Sequence, residues 1–226
     1  MHLAWVVPAA VTIAEVAAVL EVVTPPVVAW LHFWALQASF SGGGGGHLGL
    51  QWGADGRQGR HVNWGGYDPA GRELGGTPSA LPSSTANPNT RDFGWEPRRP
   101  YRLCIRPAPG GGAWRGEVTD LSTGRETVVR DLAGAGDALT RPLVWSEIFA
   151  RCDDPSTVVR WSGLRAVTSA GDPVGITAVR ASYQSYQDGG CDNTTSEPDG
   201  AGVLQRTNAP RIVAPGATLR LEAPRR

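Results

Sequence analysis

Short runs of alternating apolar and polar residues, separated by glycine- and proline-rich segments, extend along almost the whole chain. The 30 glycines and 18 prolines punctuate runs rich in Val, Trp and Thr, a pattern typical of strands joined by turns. No run keeps a helical period; residues 14–23 come nearest, but their valines favour a strand. The pattern predicts strands at Thr12–Val23, Val28–Phe40, His47–Trp52, Arg60–Tyr67, Tyr101–Arg106, Ala113–Asp120, Arg125–Leu132, Leu143–Arg151, Thr157–Thr168, Gly175–Gln187, Gly202–Thr207 and Ala217–Leu221.

Glycine-rich turns between neighbouring runs predict hairpins at residues 41–46, 108–112 and 121–124. Residues 68–94 form the longest stretch without a predicted strand, and long irregular loops often carry function. No linker or internal repeat divides the chain. We therefore predict that residues 1–226 form a single all-β domain, an antiparallel two-sheet sandwich of the jelly-roll type.

Charge and hydropathy exclude two classes of protein. The 21 basic residues match the 21 acidic ones, whereas a nucleic-acid surface needs a basic patch and a high pI. The apolar N-terminal quarter is interrupted by Glu15, Glu21 and Pro25-Pro26, and the remaining residues 27–40 are too few to span a bilayer. No basic segment precedes a compact apolar core, so no secretory signal is visible. The oligomeric state is not determined by the sequence.

The three cysteines leave one over in any pairing. Cys152 and Cys191 each follow a predicted strand and lie in acidic turns, which favours a disulfide between them and leaves Cys104 free. The alternative is three unpaired thiols in a cytosolic protein. Cys104 lies mid-strand between Arg102 and Arg106, where it is interpreted as a small core residue. The other hypothesis for Cys104 is a thiol whose pKa the arginines lower, making it reactive.

The segments FWALQASFSGGGGGHLGLQWG, WSEIFARC, VRWSGLRA and SYQSYQDGGCDNT resemble an uncharacterised domain family of secreted proteins from GC-rich bacteria. That family is similar to lectin and glucanase sandwiches of the concanavalin type. The resemblance covers most of the chain. It implies an extracellular setting and a lectin-like fold, and it supports the pairing of Cys152 with Cys191.

Aromatic residues suggest a ligand-binding surface, because indole rings stack on sugar faces as well as filling cores. Five of the nine tryptophans lie mid-strand and are predicted in the core: Trp30, Trp34, Trp114, Trp145 and Trp161. Other aromatic residues adjoin turns or the long loop, with polar residues nearby. The candidate carbohydrate-binding surface consists of Trp52, Trp64, Tyr67, Trp95, Gln51, Asn63 and Arg57. The alternative is that these hairpin residues only cover the edge of the sandwich.

The acidic turns around the two paired cysteines offer oxygen ligands of the kind that calcium prefers. The candidate ligands are Asp153, Asp154, Asp188, Asp192 and Asn193. The alternative is that they are solvated turn residues with no metal. No other cofactor is predicted, because the spacings typical of zinc sites are absent.

Catalytic patterns are missing from the sequence. Retaining glycosidases need two carboxyl groups about 5 Å apart, and no pair of carboxylates alternates along one strand here. Glu147 is a single carboxylate in an apolar strand and is interpreted as a satisfied core group. His32, among aromatic residues, is also assigned to the core. No catalytic residue is proposed.

These observations predict a non-catalytic, secreted module that binds carbohydrate or another cell-surface polymer. One alternative is a glycan-cleaving enzyme, a glycoside hydrolase or lyase, on the same scaffold. The other is a structural or adhesive module without a small ligand.

Overall fold

The computed structural model describes residues 1–8, 11–53, 59–83 and 86–222. The prediction of an all-β antiparallel chain is confirmed, because these residues form 16 strands and one short 3₁₀ helix, Tyr186–Asp188. Within the same residues, no helix is long and apolar enough to cross a membrane. The strands, numbered in chain order, form one continuous sheet that folds over itself into two layers.

The front layer carries the strands that matter most for function. Its spatial order is β16 (Thr218–Arg220), β13 (Ala178–Ser182), β1 (His2–Trp5), β10 (Leu139–Ile148), β3 (His32–Phe40), β4 (Gly45–Trp52), β5 (Arg60–Tyr67) and β6 (Thr90–Asp92). Each neighbouring pair is antiparallel.

The back layer covers the inner face of the front layer. Its order is β14 (Thr194–Asp199), β15 (Gly202–Thr207), β11 (Val158–Thr168), β2 (Ile13–Thr24), β7 (Pro100–Pro107), β8 (Trp114–Asp120) and β9 (Arg125–Leu132), with β12 (Pro173–Gly175) beside β11. The two layers join where Leu139 of β10 pairs with Ile13 of β2.

The core lies between the layers and is rich in tryptophan. Trp64 on β5 is fully buried, and its Nε1 donates to the carbonyl oxygen of Trp114 on β8 at 3.3 Å. Glycines at two positions make room for this indole. A Cβ added at Gly46 or at Gly116 would lie 2.6 Å from ring atoms of Trp64. The indole therefore links the two layers only because both positions lack a side chain.

We expect Gly46→Ala and Gly116→Ala each to destabilise the protein by about 1–3 kcal/mol, the usual cost of overpacking a core. The added methyl group must displace the fully buried indole of Trp64. Chemical denaturation followed by tryptophan fluorescence measures the change. Gly75→Ala is the control, because a Cβ there meets nothing within 4 Å. Equal stability of all three variants would contradict this packing argument.

The predicted hairpin at residues 41–46 is confirmed as the connection between β3 and β4, with Gly43 and Gly44 at φ of 96° and 75°. The strand predicted from Val28 begins instead at His32. The carbonyl oxygens of Val28 and Trp30 accept hydrogen bonds from side chains, Trp52 Nε1 and His32 Nδ1, and make no ladder. As a result the prediction that Trp30 lies in the core was wrong, since its side chain is 52% exposed.

Other strand boundaries also differ from the prediction. The long loop at 68–94 contains a short strand, β6, and the predicted strand at 175–187 is reduced to β13 followed by the 3₁₀ helix. Four strands were not predicted, namely β1, β6, β12 and β14. β1, β6 and β12 span only three or four residues each, too few to show a clear alternation in the sequence.

The predicted disulfide between Cys152 and Cys191 is confirmed. Cys104 is free and buried on β7, as predicted. Burial raises the pKa of its thiol to about 12, so the hypothesis of a reactive thiol was wrong. The placement of His32 in the core is also confirmed, with 1% of its surface exposed.

Candidate active site

Three strands of the front layer bring an acid and an amide into one row. Glu147 of β10 lies opposite Phe33 of β3, and Phe33 lies opposite Gln51 of β4. Residues directly opposite each other in a sheet project from the same face. Glu147 and Gln51 therefore face the same side, with their backbones roughly 10 Å apart because two strand spacings separate them.

This face looks away from the core and forms the floor of an open cleft of about 800 Å³. The next row along the same strands contains Trp145, Ala35, Gly49 and Asn63. One wall comes from the two loops that the Cys152–Cys191 disulfide joins. The cleft is thus built partly by the sheet and partly by the disulfide-bonded loops.

The ring of Phe33, between the acid and the amide in the row, packs against two aromatic neighbours. Its centroid lies 4.8 Å from that of Trp145 and 5.7 Å from that of His47. Both neighbours lie further along the strands, away from the row that holds Glu147 and Gln51. Phe33, Ala35 and Trp145 form a small apolar cluster of their own, separate from the main core.

Glu147 is the acidic side chain on the floor of the cleft. Its side chain reaches solvent, yet the surrounding walls remove part of its hydration, and this burial raises the pKa of the carboxyl group above its ordinary value of 4.5. Within the described residues, no side chain hydrogen-bonds to its carboxylate. The group is therefore an accessible base of increased basicity.

Gln51 differs from Glu147 because its side chain is hydrogen-bonded to a neighbouring side chain and the residue is only 6% exposed. Its Oε1 accepts a hydrogen bond from Thr90 Oγ1 at 3.4 Å, and Thr90 Oγ1 accepts one from Asn63 Nδ2 at 3.0 Å. Its Nε2 has no partner in the part of the chain that the structure describes. That N–H group can donate to a ligand in the cleft.

Two histidines beside this row are uncharged at neutral pH. His47 lies next to both Phe33 and Trp145, and His2 lies next to Trp145. Burial lowers the pKa of each imidazole to about 4. At neutral pH the imidazoles of His2 and His47 therefore add no positive charge to the cleft.

A second, smaller cavity of about 450 Å³ lies elsewhere on the surface. Its lining includes Arg99, which pairs with Asp120 at 3.2 Å and with Glu96 at 2.9 Å. Arg99 is therefore already engaged by two carboxylates of the protein. We therefore place the candidate site in the larger cleft.

Two of the four aromatic residues predicted to bind sugar do not face solvent. Trp64 and Trp95 are fully buried in the core, and Trp95 Nε1 donates to the carbonyl oxygen of Gln51 at 3.0 Å. Trp52 is partly buried and packs against the same core. The indoles of Trp64 and Trp95 offer no open face for stacking, so their placement on a binding surface was wrong. Arg57, also predicted there, lies outside the described residues.

The remaining predicted residues, Gln51, Asn63 and Tyr67, do line the cleft. They lie there with Glu147, which the sequence interpretation assigned to the core. That interpretation was wrong, because the inward residue at this point of β10 is Ser146, 5% exposed, whose Oγ donates to Gln205 Oε1 at 2.5 Å. The sequence does show that Trp145 and Glu147 lie on the same face of the strand. It does not show which face of the strand is open to solvent.

The acidic turns do not gather into a calcium site. In the described part of the chain, no group of three or more His, Cys, Asp or Glu side chains is placed to hold a metal ion. Several of the candidate ligands have other partners. Asp154 Oδ2 accepts from the backbone of Arg151, Asp188 Oδ2 accepts from Ser185 Oγ, and Asn193 Nδ2 donates to the carbonyl oxygen of Cys152. Asp153 and Asp192 lie in the same turns, where Asp192 is 3.8 Å from Arg211.

No protein-family model and no curated protein matches the chain. Solved structures do match. One, a crystal structure of scytalido-glutamic peptidase with a peptide-based transition-state analogue, has a TM-score of 0.52 and 12% identity, covering 90% of this chain and 95% of that chain. Another, of the same peptidase with a transition-state analogue inhibitor, has a TM-score of 0.50 and 14% identity with the same coverage. The fold resembles that of a glutamic peptidase.

This likeness corrects four predictions. The suspected membership of a lectin- or glucanase-like family was wrong, because the matching structures are peptidases. The predictions of a non-catalytic module and of a carbohydrate or cell-surface polymer as partner were wrong for the same reason, since these structures are enzymes holding transition-state analogues. The prediction that the protein is not an enzyme was wrong for the same reason.

Proposed function

We propose that the protein is a peptidase that hydrolyses peptide bonds with Glu147 as its base and Gln51 as the stabiliser of the oxyanion. One observation carries this proposal. An accessible carboxylate of raised pKa lies in the same row as an unpartnered amide donor, in an open cleft. The fold likeness to a glutamic peptidase with a peptide-based transition-state analogue supports it.

The proposed reaction needs only these two side chains and a water molecule. The carboxylate of Glu147 takes a proton from the water, whose oxygen attacks the carbonyl carbon of the peptide bond. The carbonyl oxygen gains the electron pair and accepts a hydrogen bond from Gln51 Nε2. Glu147 then gives the proton to the nitrogen, the carbon–nitrogen bond breaks, and a carboxylic acid and an amine leave. No cofactor takes part in these steps.

The spacing of the row suits the roles of Glu147 as base and Gln51 as hydrogen-bond donor. Side chains projecting from strands two positions apart leave room between their ends for a water molecule and a carbonyl group. The ring of Phe33, on the strand between them, packs edge-on against Trp145 in the next row. Gln51 cannot act as a base, since an amide accepts no proton in this pH range, so the base must be Glu147.

We expect the protein to cleave peptides with a rate that rises with pH through the pKa of Glu147. The base works only when ionised, and burial raises its pKa above 4.5, so the acid limb of kcat/KM should have its midpoint above 4.5. The intact protein is incubated with a peptide mixture over a range of pH. Mass spectrometry of the products measures both the cleavage and the pH midpoint of kcat/KM. Heat-inactivated protein is the control. Absence of cleavage, or a midpoint below 4.5, would contradict the proposal.

Three finer predictions from the sequence stand as proposals beside this one. The disulfide supports an oxidising environment, and we propose that the protein is secreted. We also propose that residues 1–226 act as a single domain, with strand connections of the jelly-roll type. Limited proteolysis of the purified protein tests the domain proposal, because a single domain resists cleavage between its parts.

A further inference from the structure

The hydrogen-bond chain beneath Gln51 passes through the Thr90 hydroxyl group, which has a single hydrogen. Asn63 Nδ2 is only a donor, so Thr90 Oγ1 must accept from it at 3.0 Å. The one hydrogen of Thr90 then remains for Gln51 Oε1, at 3.4 Å. That hydrogen bond is long, as catalytic contacts often are before substrate binds.

This order of donors decides which end of the Gln51 amide faces the cleft. Once Oε1 is bound to the Thr90 hydroxyl, the amide cannot rotate by half a turn without breaking that bond. Both hydrogens of Nε2 then remain free for a ligand. The reversed amide would present an oxygen to the developing oxyanion, and the two would repel each other.

Thr90 is itself held in place by its strand pairing and by the hydrogen bonds of the preceding residue. It pairs with Asn63 in the ladder between β5 and β6 and is 3% exposed. The preceding residue, Asn89, accepts a hydrogen bond from Arg130 Nη1 at 2.8 Å, and its carbonyl oxygen accepts from the backbone of Trp64 at 3.0 Å. Arg130 belongs to β9 of the back layer and is 6% exposed. A buried arginine therefore holds the segment that carries Thr90.

We propose that Thr90, oriented by Asn63, is a positioning residue that sets the Gln51 amide with its N–H group towards the substrate. This inference rests on the proposed function for its catalytic meaning. Its structural part concerns only the amide of Gln51 and can be measured without any substrate.

The test compares Thr90→Val with Thr90→Ser. Valine keeps the shape of threonine but has no hydroxyl. We therefore expect kcat to fall about ten- to hundredfold, at most as much as when an oxyanion donor is removed. KM should stay within about twofold. Serine restores the hydroxyl, and we expect kcat within about threefold of the original. Thr119→Val is the matched control, a buried threonine of β8 that accepts from Arg102 and lies outside the cleft.

A second measurement follows the amide directly. In ¹⁵N-labelled protein, the order parameter of the Gln51 side-chain amide should drop in Thr90→Val and recover in Thr90→Ser. An unchanged order parameter in Thr90→Val overturns the inference, and so does a loss of kcat that serine does not restore. If the wild-type protein cleaves no peptide, the proposed function fails, while the order parameter still decides whether Thr90 positions Gln51.

Discussion

Replacement of Glu147 by glutamine is expected to lower kcat for peptide cleavage by roughly 10²- to 10⁴-fold, the range that a general base contributes. Glutamine has nearly the same shape, but it cannot take the proton from the attacking water. The site otherwise keeps its geometry, because no side chain in the described residues hydrogen-bonds to the Glu147 carboxylate. Initial rates on a peptide identified as a substrate measure the effect.

The stability of this variant separates loss of chemistry from loss of folding. Burial raises the pKa of Glu147 in the folded state, so its ionisation destabilises the fold as pH rises through that pKa. Glu147→Gln should therefore be as stable as the original protein at low pH and equal or slightly more stable at pH 7. Glu126→Gln, at an exposed position of β9, is the matched control for activity. A fully active Glu147→Gln protein would exclude Glu147 as the base.

Removal of the disulfide has the largest expected effect on stability. Cys152 and Cys191 are 39 residues apart in sequence, and the loop-closure model gives a loss of about 4 kcal/mol when such a bridge is removed. For a chain of this size that corresponds to a fall in Tm of about 10 °C. We expect it in the double variant Cys152→Ala/Cys191→Ala, measured by thermal denaturation monitored by circular dichroism.

The third cysteine supplies the control. Cys104→Ala removes a buried thiol without touching the bridge, so its Tm should fall by much less. A reducing agent should lower the Tm of the original protein and of Cys104→Ala, but not that of the double variant. An unchanged Tm in the double variant would show that the joined loops are held by their other contacts, such as Asn193 with the carbonyl oxygen of Cys152.

Several features of the fold could be predicted because they depend on local chemistry. Glycine runs such as residues 41–46 allow the positive φ angles that a tight connection needs, and they mark the hairpin between β3 and β4. Cys152 and Cys191 each follow a strand and lie in an acidic turn, which favoured their pairing. These inferences needed only the residues within a few positions of each feature.

The candidate site depends on what lies across the sheet. Gln51 and Asn63 were selected for the polar surroundings of nearby tryptophans, and they lie in the cleft although Trp64 and Trp95 are buried beneath it. Glu147 was assigned to the core because its strand is apolar on both faces. In that strand one apolar face meets the back layer and the other forms the floor of the cleft, with Trp145 packed on Phe33.

The sequence by itself predicted that the chain forms antiparallel strands joined by glycine turns, and it favoured one disulfide between two of its loops. Only the tertiary structure decided which face of each strand is covered, and thereby that Glu147 and Gln51 share a row. The physical reason is that a period of two divides the residues of a strand into two faces, whereas burial of either face depends on the strands and loops that pack against it.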